Sequence, residues 1–193
     1  LKKTTPDTEI KNKIYNVARK LFVEKGYHRT SIPDLVKASG VSIGAIYHHF
    51  PSKEELARTI HEDAVNLFLN KYDCYVRPRQ SGREKVRYFV KMMFEWADTD
   101  LITVNYLLHA RPPEVLNCNF TICTAEGLEA VKEIISCGQA CGEFKPVNPI
   151  LLAAMVSGPI MRMIELKTDG VITEPLSNLI DETAELIFSA LRA

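Results

Sequence analysis

The sequence predicts an all-α protein of about nine helices, on three observations. Apolar residues recur with the 3.6-residue helical period along almost the whole chain. Capping residues stand where the periodic runs begin and end, and no segment alternates convincingly with period two. With 193 residues, 46% of them hydrophobic and 25% charged, the chain has average globular composition and the length of one ordinary domain or two small ones.

Taken in order, Ile10, Ile14, Val17, Ala18, Leu21 and Phe22 define a first helix, which Lys25-Gly26 ends with glycine in the C′ place. Ser31 starts a second, with Asp34 in a capping-box-like position and Pro33 tolerated in the first turn; it stops at Ser39-Gly40. Ser42 caps a third, short helix to about His49. Pro51 breaks the chain, and Ser52 with Glu55 predicts a full capping box for a fourth helix, its stripe running through Leu56, Ile60, Leu67 and Phe68. "VRPRQSGRE" (76–84) reads as a linker. Residues 84–98 then show one narrow polar stripe (Glu84, Arg87, Lys91, Glu95, Asp98), which predicts a helix central to a bundle. Further helices are expected at 101–110, at about 121–140, from Asn148-Pro149 to about Lys167, and over about 175–191. The apolar stretch 147–164 is interrupted by Asn148, Pro149, Ser157, Gly158, Pro159 and Arg162. A membrane span needs about 20 mostly apolar residues, so a buried helix and no membrane partner are expected.

The zero net charge conceals an asymmetry. Residues 1–60 hold 11 Lys/Arg against 6 Asp/Glu, and residues 61–193 hold 13 against 18. A basic head on an acidic body suits a polyanion-binding segment attached to something with another task. The five cysteines are odd in number, include no CxxC pair and follow no visible signal peptide, so reduced thiols in a cytoplasm are expected. No GxSxG, HExxH, P-loop or Rossmann pattern is present, and carboxylates are scattered on solvated faces, so no enzyme is predicted. No zinc-type spacing occurs either, and neither a resident metal nor a cofactor is expected.

"SIPDLVKASGVSIGAIYHHF" joins two short helices through a glycine-containing turn, the signature of a helix-turn-helix. In that motif the second helix enters the DNA major groove with its N-terminal residues toward base edges. Leu35, Val41, Ile46 and Phe50 are placed to hold it from behind. Gly44 and Ala45 let its backbone come close to DNA, and Tyr47, His48, His49 and Lys53 can donate to phosphates. The capped start of the fourth helix, Ser52-Lys53-Glu54, offers further amides.

The longer segment from Thr30 to Leu56, "TSIPDLVKASGVSIGAIYHHFPSKEEL", closely resembles the DNA-binding segment of the TetR family of bacterial transcription regulators. Thr30, Ser31, Leu35, Gly40, Val41, Ser42, Gly44, Ile46, Tyr47, His49, Phe50, Ser52, Lys53, Glu54 and Leu56 match the family pattern. Val36 and Ser39 replace its usual alanines on the supporting helix. The stretch 142–158 resembles the family's entry into a dimer-forming helix. The resemblance implies a helix-turn-helix head over residues 1–54 and an effector-binding, dimerising bundle over 55–193. It also implies phosphate contacts from Thr30 and Ser31, base-edge contacts from Ser42, Ile43 and Ala45, and phosphate clamping by Tyr47, His48 and Lys53. A homodimer through about 148–167 and 175–191, on a pseudo-palindromic double-stranded operator, follows from the same resemblance. Its usual mode is repression in a bacterial cytoplasm, relieved by a small molecule.

Met92, Met93, Trp96, Tyr106, His109, Arg111 and Met155 are the expected lining of that effector site, and their methionine and aromatic character suits an apolar or flat ligand. A rival trigger is a thiol- or metal-responsive array of Cys118, Cys123, Cys137 and Cys141, although burial as small hydrophobes is the favoured reading of these cysteines. A helical ligand-binding protein without DNA is the remaining class.

Overall fold

The computed structural model describes residues 6–109 and 126–193. Among them are eight α-helices: α1 Pro6–Lys25, α2 Ile32–Ser39, α3 Ile43–His49, α4 Lys53–Tyr75, α5 Gly82–His109, α6 Glu126–Ala140, α7 Pro149–Thr168 and α8 Ile180–Leu191. A 3-10 turn at Leu176–Leu179 leads into α8, and among the described residues the nearest thing to a sheet is one isolated bridge, Phe144 with Arg192.

The short helices start and stop where side chains satisfy their ends. At α2 both halves of a capping box form: Ser31 Oγ accepts the Asp34 N–H at 3.3 Å, and Asp34 Oδ2 accepts the Ser31 N–H at 2.9 Å. Gly40 ends the helix in the left-handed region at φ 66°, with its N–H on the Val36 carbonyl at 2.8 Å. The full box expected at Ser52 and Glu55 is only half made. Ser52 Oγ accepts the Glu55 N–H, but the Glu55 carboxylate turns to Arg58 at 3.5 Å. The helices expected at 84–98 and 101–110 are joined in α5, with Asp100 alone leaving helical geometry (φ −148°, ψ 68°). Asp100 acts as an internal cap: its carboxylate accepts the Thr103 N–H at 3.1 Å and pairs with Arg19 of α1 at 3.1 Å.

α5 is the axle of the molecule, packing on α1, α4, α6, α7 and α8. Its apolar sides bury Val86, Phe89, Val90, Phe94, Trp96 and Val104. Each such side chain taken fully from water contributes about 1.5–3 kcal/mol, whereas its surface ion pairs to α8, Arg83–Glu185 and Arg87–Asp181, contribute about 0–1 kcal/mol each. At the start of α5 the backbones crowd. A Cβ added to Gly138 of α6 would lie 2.1 Å from the Phe144 ring, so only glycine lets that ring close the corner.

α7 corrects an expectation. It is buried along Leu152, Ala153, Val156, Ile160 and Ile164, but Ile150, Leu151 and Met155 are exposed. It is the one described helix long and apolar enough to cross a membrane by length and composition, and it is covered along one face rather than enclosed.

Candidate functional site

α3 is seven residues long and stands on a single deep anchor. Ile46 is 1% exposed and packs in one core with Leu35, Phe50, Leu56 and Phe22, while Val41 lies partly buried against it. Ser42 Oγ accepts the Ala45 N–H at 3.2 Å and fixes the first turn. The opposite face is left to solvent: Ile43 is 54% exposed, Tyr47 is 46% exposed, and Ser42, Gly44 and His48 are exposed with them, Ala45 partly so. Nothing lies within 4 Å of a Cβ built on Gly44. No packing inside the chain therefore requires glycine there, although glycine weakens a helix by about 1 kcal/mol against alanine. An exposed isoleucine and tyrosine beside an unneeded glycine describe a face shaped for an external partner.

Three of the expected phosphate donors, Thr30, Ser31 and Lys53, are engaged within the chain; the Ser31 hydroxyl donates to Asp34 Oδ2 at 2.6 Å. Thr30 is fully buried, its hydroxyl donating to the carbonyls of Gly26 at 2.9 Å and Leu21 at 3.3 Å. It ties the α1–α2 turn, and a phosphate cannot reach it without opening that turn. Lys53 Nζ donates to the Tyr27 and Thr30 carbonyls at 3.1 and 3.0 Å and lies 4.1 Å over the Tyr27 ring. Tyr27 in turn donates to Glu54 at 3.0 Å, and burial followed by that bond pushes its pKa up to about 12. Lys53 therefore positions the turn ahead of α2, with its charge held at the head surface rather than swinging freely. Ser31 is exposed. The His49 side chain is nearly covered, with its Nε2 3.5 Å from Asp7 Oδ1.

The expected effector lining is dispersed. A cavity of about 310 Å³ lies between α4, α5, α6 and α7, lined by Phe68, Phe89, Met93, Leu108, Leu128, Val131, Ala153 and Ile160, with Ser157 the one side chain carrying a hydroxyl. Of the five expected residues whose side chains are described, only Met93 lines it. Met92 and Trp96 face a separate, more polar hollow with Lys71, Glu95 and Asp98. Tyr106 is buried and donates to the Ala57 carbonyl at 3.1 Å, and Met155 lies on the exposed face of α7. His109 ends α5; Arg111 falls outside the described residues, as do Cys118 and Cys123. The other cysteines are not buried small hydrophobes, since Cys74 and Cys141 are exposed and Cys137 is intermediate. A sequence signal for the cavity did exist: Gly127, Ala153, Ala154 and Ser157 are small residues on two facing helices, and small residues there leave room where a bundle would otherwise close.

Comparison with known proteins accords with this geometry. Residues 14–60 match the model of the family described as bacterial regulatory proteins, tetR family. The HTH-type transcriptional repressor KstR2 of Rhodococcus jostii is 28% identical over 88 residues, 46% of this chain and 43% of that one. This chain thus spans less than half the length of that curated relative. The fold extends further. The structure of the ketosteroid transcriptional regulator KstR2 of Mycobacterium tuberculosis superposes with a TM-score of 0.80 at 16% identity, covering 95% of each chain. The transcriptional regulator FadR from Bacillus subtilis, in complex with stearoyl-CoA, superposes with a TM-score of 0.74 at 20% identity, covering 92% of this chain and 97% of that one.

Proposed function

We propose, for a chain that belongs to the tetR family of bacterial regulatory proteins through its residues 14–60, that it is a ligand-responsive, DNA-binding transcriptional regulator of the bacterial cytoplasm. The observation that carries the reading is the outer face of α3: Ser42, Ile43, Gly44, Tyr47 and His48 are exposed on a helix held from behind by Ile46. Ser42, Ile43 and Ala45 read base edges; Tyr47 and His48 hold phosphates. Residues 1–54 form the head and 55–193 the body, with α4 continuous across the division.

Two copies pair through α7 and α8. Ile150, Leu151, Met155 and Leu186 are exposed at 48–68%, an apolar surface with no cover in the single chain. The effector occupies the cavity beside Met93 and Phe68, and the near absence of polar groups there favours an acyl chain or a fused apolar ring system. Relatives in fold include a protein complexed with stearoyl-CoA and a ketosteroid regulator, which supports that class. Repression relieved by ligand is the mode proposed.

Fluorescence anisotropy on the chain's own upstream duplex tests this directly. The expected result is tighter binding than to random duplex, falling steeply with salt, and release by a long-chain acyl compound or a steroid. Equal affinity for both duplexes in the absence of ligand overturns the regulator reading. Ser157→Phe, which narrows the cavity with a bulky ring, is expected to keep duplex binding and weaken release.

A further inference from the structure

The head carries a cluster of metal-ligating groups apart from the cysteines. Asp7, in the first turn of α1, and His48 and His49, the last two residues of α3, bring one carboxylate oxygen and two imidazole nitrogens within 4.8 Å of one another. The His49 side chain is only 7% exposed, and its Nε2 stands 3.5 Å from Asp7 Oδ1. The two imidazole rings lie edge to face with centroids 5.1 Å apart.

We propose that these three residues bind a divalent transition metal of the zinc, nickel or cobalt class. Two imidazoles and a carboxylate form the donor set that such borderline ions accept, and the absence of thiolate disfavours softer ions. Ligand atoms held at about 2.0–2.1 Å from one tetrahedral zinc lie roughly 3.3 Å apart. His49 and Asp7 are already near that separation, and the exposed side chains of His48 and Asp7 can turn inward to complete it. Three protein ligands leave a coordination position open to water or another oxygen donor. A bound ion fastens the first turn of α1 to the end of α3. Its effect on DNA binding rests on the function proposed above, but the site itself does not.

The test measures zinc in the absence of DNA, so its failure and the failure of the regulator reading are separate results. Equilibrium dialysis of the intact chain against zinc is compared with Asp7→Ala and His48→Ala, both changes at exposed positions. The expected result is one zinc per chain more in the parent than in either variant, a difference in which any zinc held by the thiols cancels. Zinc is also expected to raise the melting temperature of the parent more than that of Asp7→Ala. Equal stoichiometry in the parent and in variants that retain their helical circular dichroism overturns the proposal, as does an equal thermal shift.

Discussion

Gly44 is a residue at which folding and binding make opposite demands. Alanine fits the space around it, so Gly44→Ala is expected to stabilise the chain by about 1 kcal/mol in thermal or urea unfolding. On the proposed docking the same methyl would stand between α3 and the groove, and duplex affinity is expected to fall by about tenfold, or about 1.4 kcal/mol. A variant that is both more stable and unimpaired in binding refutes the proposed contact. Thr30 and Ser31 show how far residue identities carry. The sequence pattern joins them as a pair, yet one is buried on the α1–α2 turn and the other is exposed as a cap. Which of two neighbours turns inward depends on the packing of α1, a long-range fact that no local motif encodes. Asp34 supplies a pH signature. Hydrogen bonds from Ser31, side chain first, and from Lys25 hold its carboxyl down to about 2 from 3.8. A depressed carboxyl stabilises the fold above its unfolded pKa. That contribution is lost as pH falls from about 3.8 toward 2, and Asp34→Asn is expected to flatten this part of an acid-unfolding curve.

At the scale of elements, capping and periodicity made most helices legible. The ends of α2 and α3 were fixed by Ser31, Gly40 and Ser42, groups that act on their own few neighbours. Tertiary interactions were not legible in the same way. Lys53 reads as a phosphate donor from its place after Pro51-Ser52, but the structure turns it back over Tyr27 to two carbonyls. Lys53→Met is accordingly expected to destabilise the chain by about 1–3 kcal/mol, since bonds from a charged donor are lost. Its duplex affinity should fall alike on every sequence, whereas Ile43→Ala should change sequence preference, as a panel of operator variants would reveal. The half-made box at Ser52 is a related case. Glu55 had two partners within reach, and Arg58 one turn away took it. The cavity was less legible because its lining is drawn from four helices, α4 to α7: of the methionines and aromatics singled out, Met93 lines it, while Met92, Trp96 and Tyr106 are buried elsewhere and Met155 is exposed.

At the scale of the whole molecule, an apolar face on α7 and α8 stands uncovered in the single chain. Leu151 is 62% and Leu186 68% exposed. Leu151→Glu combined with Leu186→Glu is expected to leave a folded monomer in sedimentation and to reduce affinity for a two-half-site duplex far more than for a single half-site. A dimer that survives both changes places the interface elsewhere. The sequence foresaw these helices as sticky, but periodicity alone could not say which apolar side meets its own core.

Helix α4 runs unbroken for 23 residues, about 35 Å, from the Lys53 end beside α3 to Tyr75. Phe68, on the cavity wall, sits about 22 Å along it from Lys53. A rod pivoted at that wall multiplies angle by length, so a tilt of only about 5° carries its near end through about 2 Å. On the function proposed above, a ligand that tilted α4 by that angle would displace its head end by most of a hydrogen-bond length.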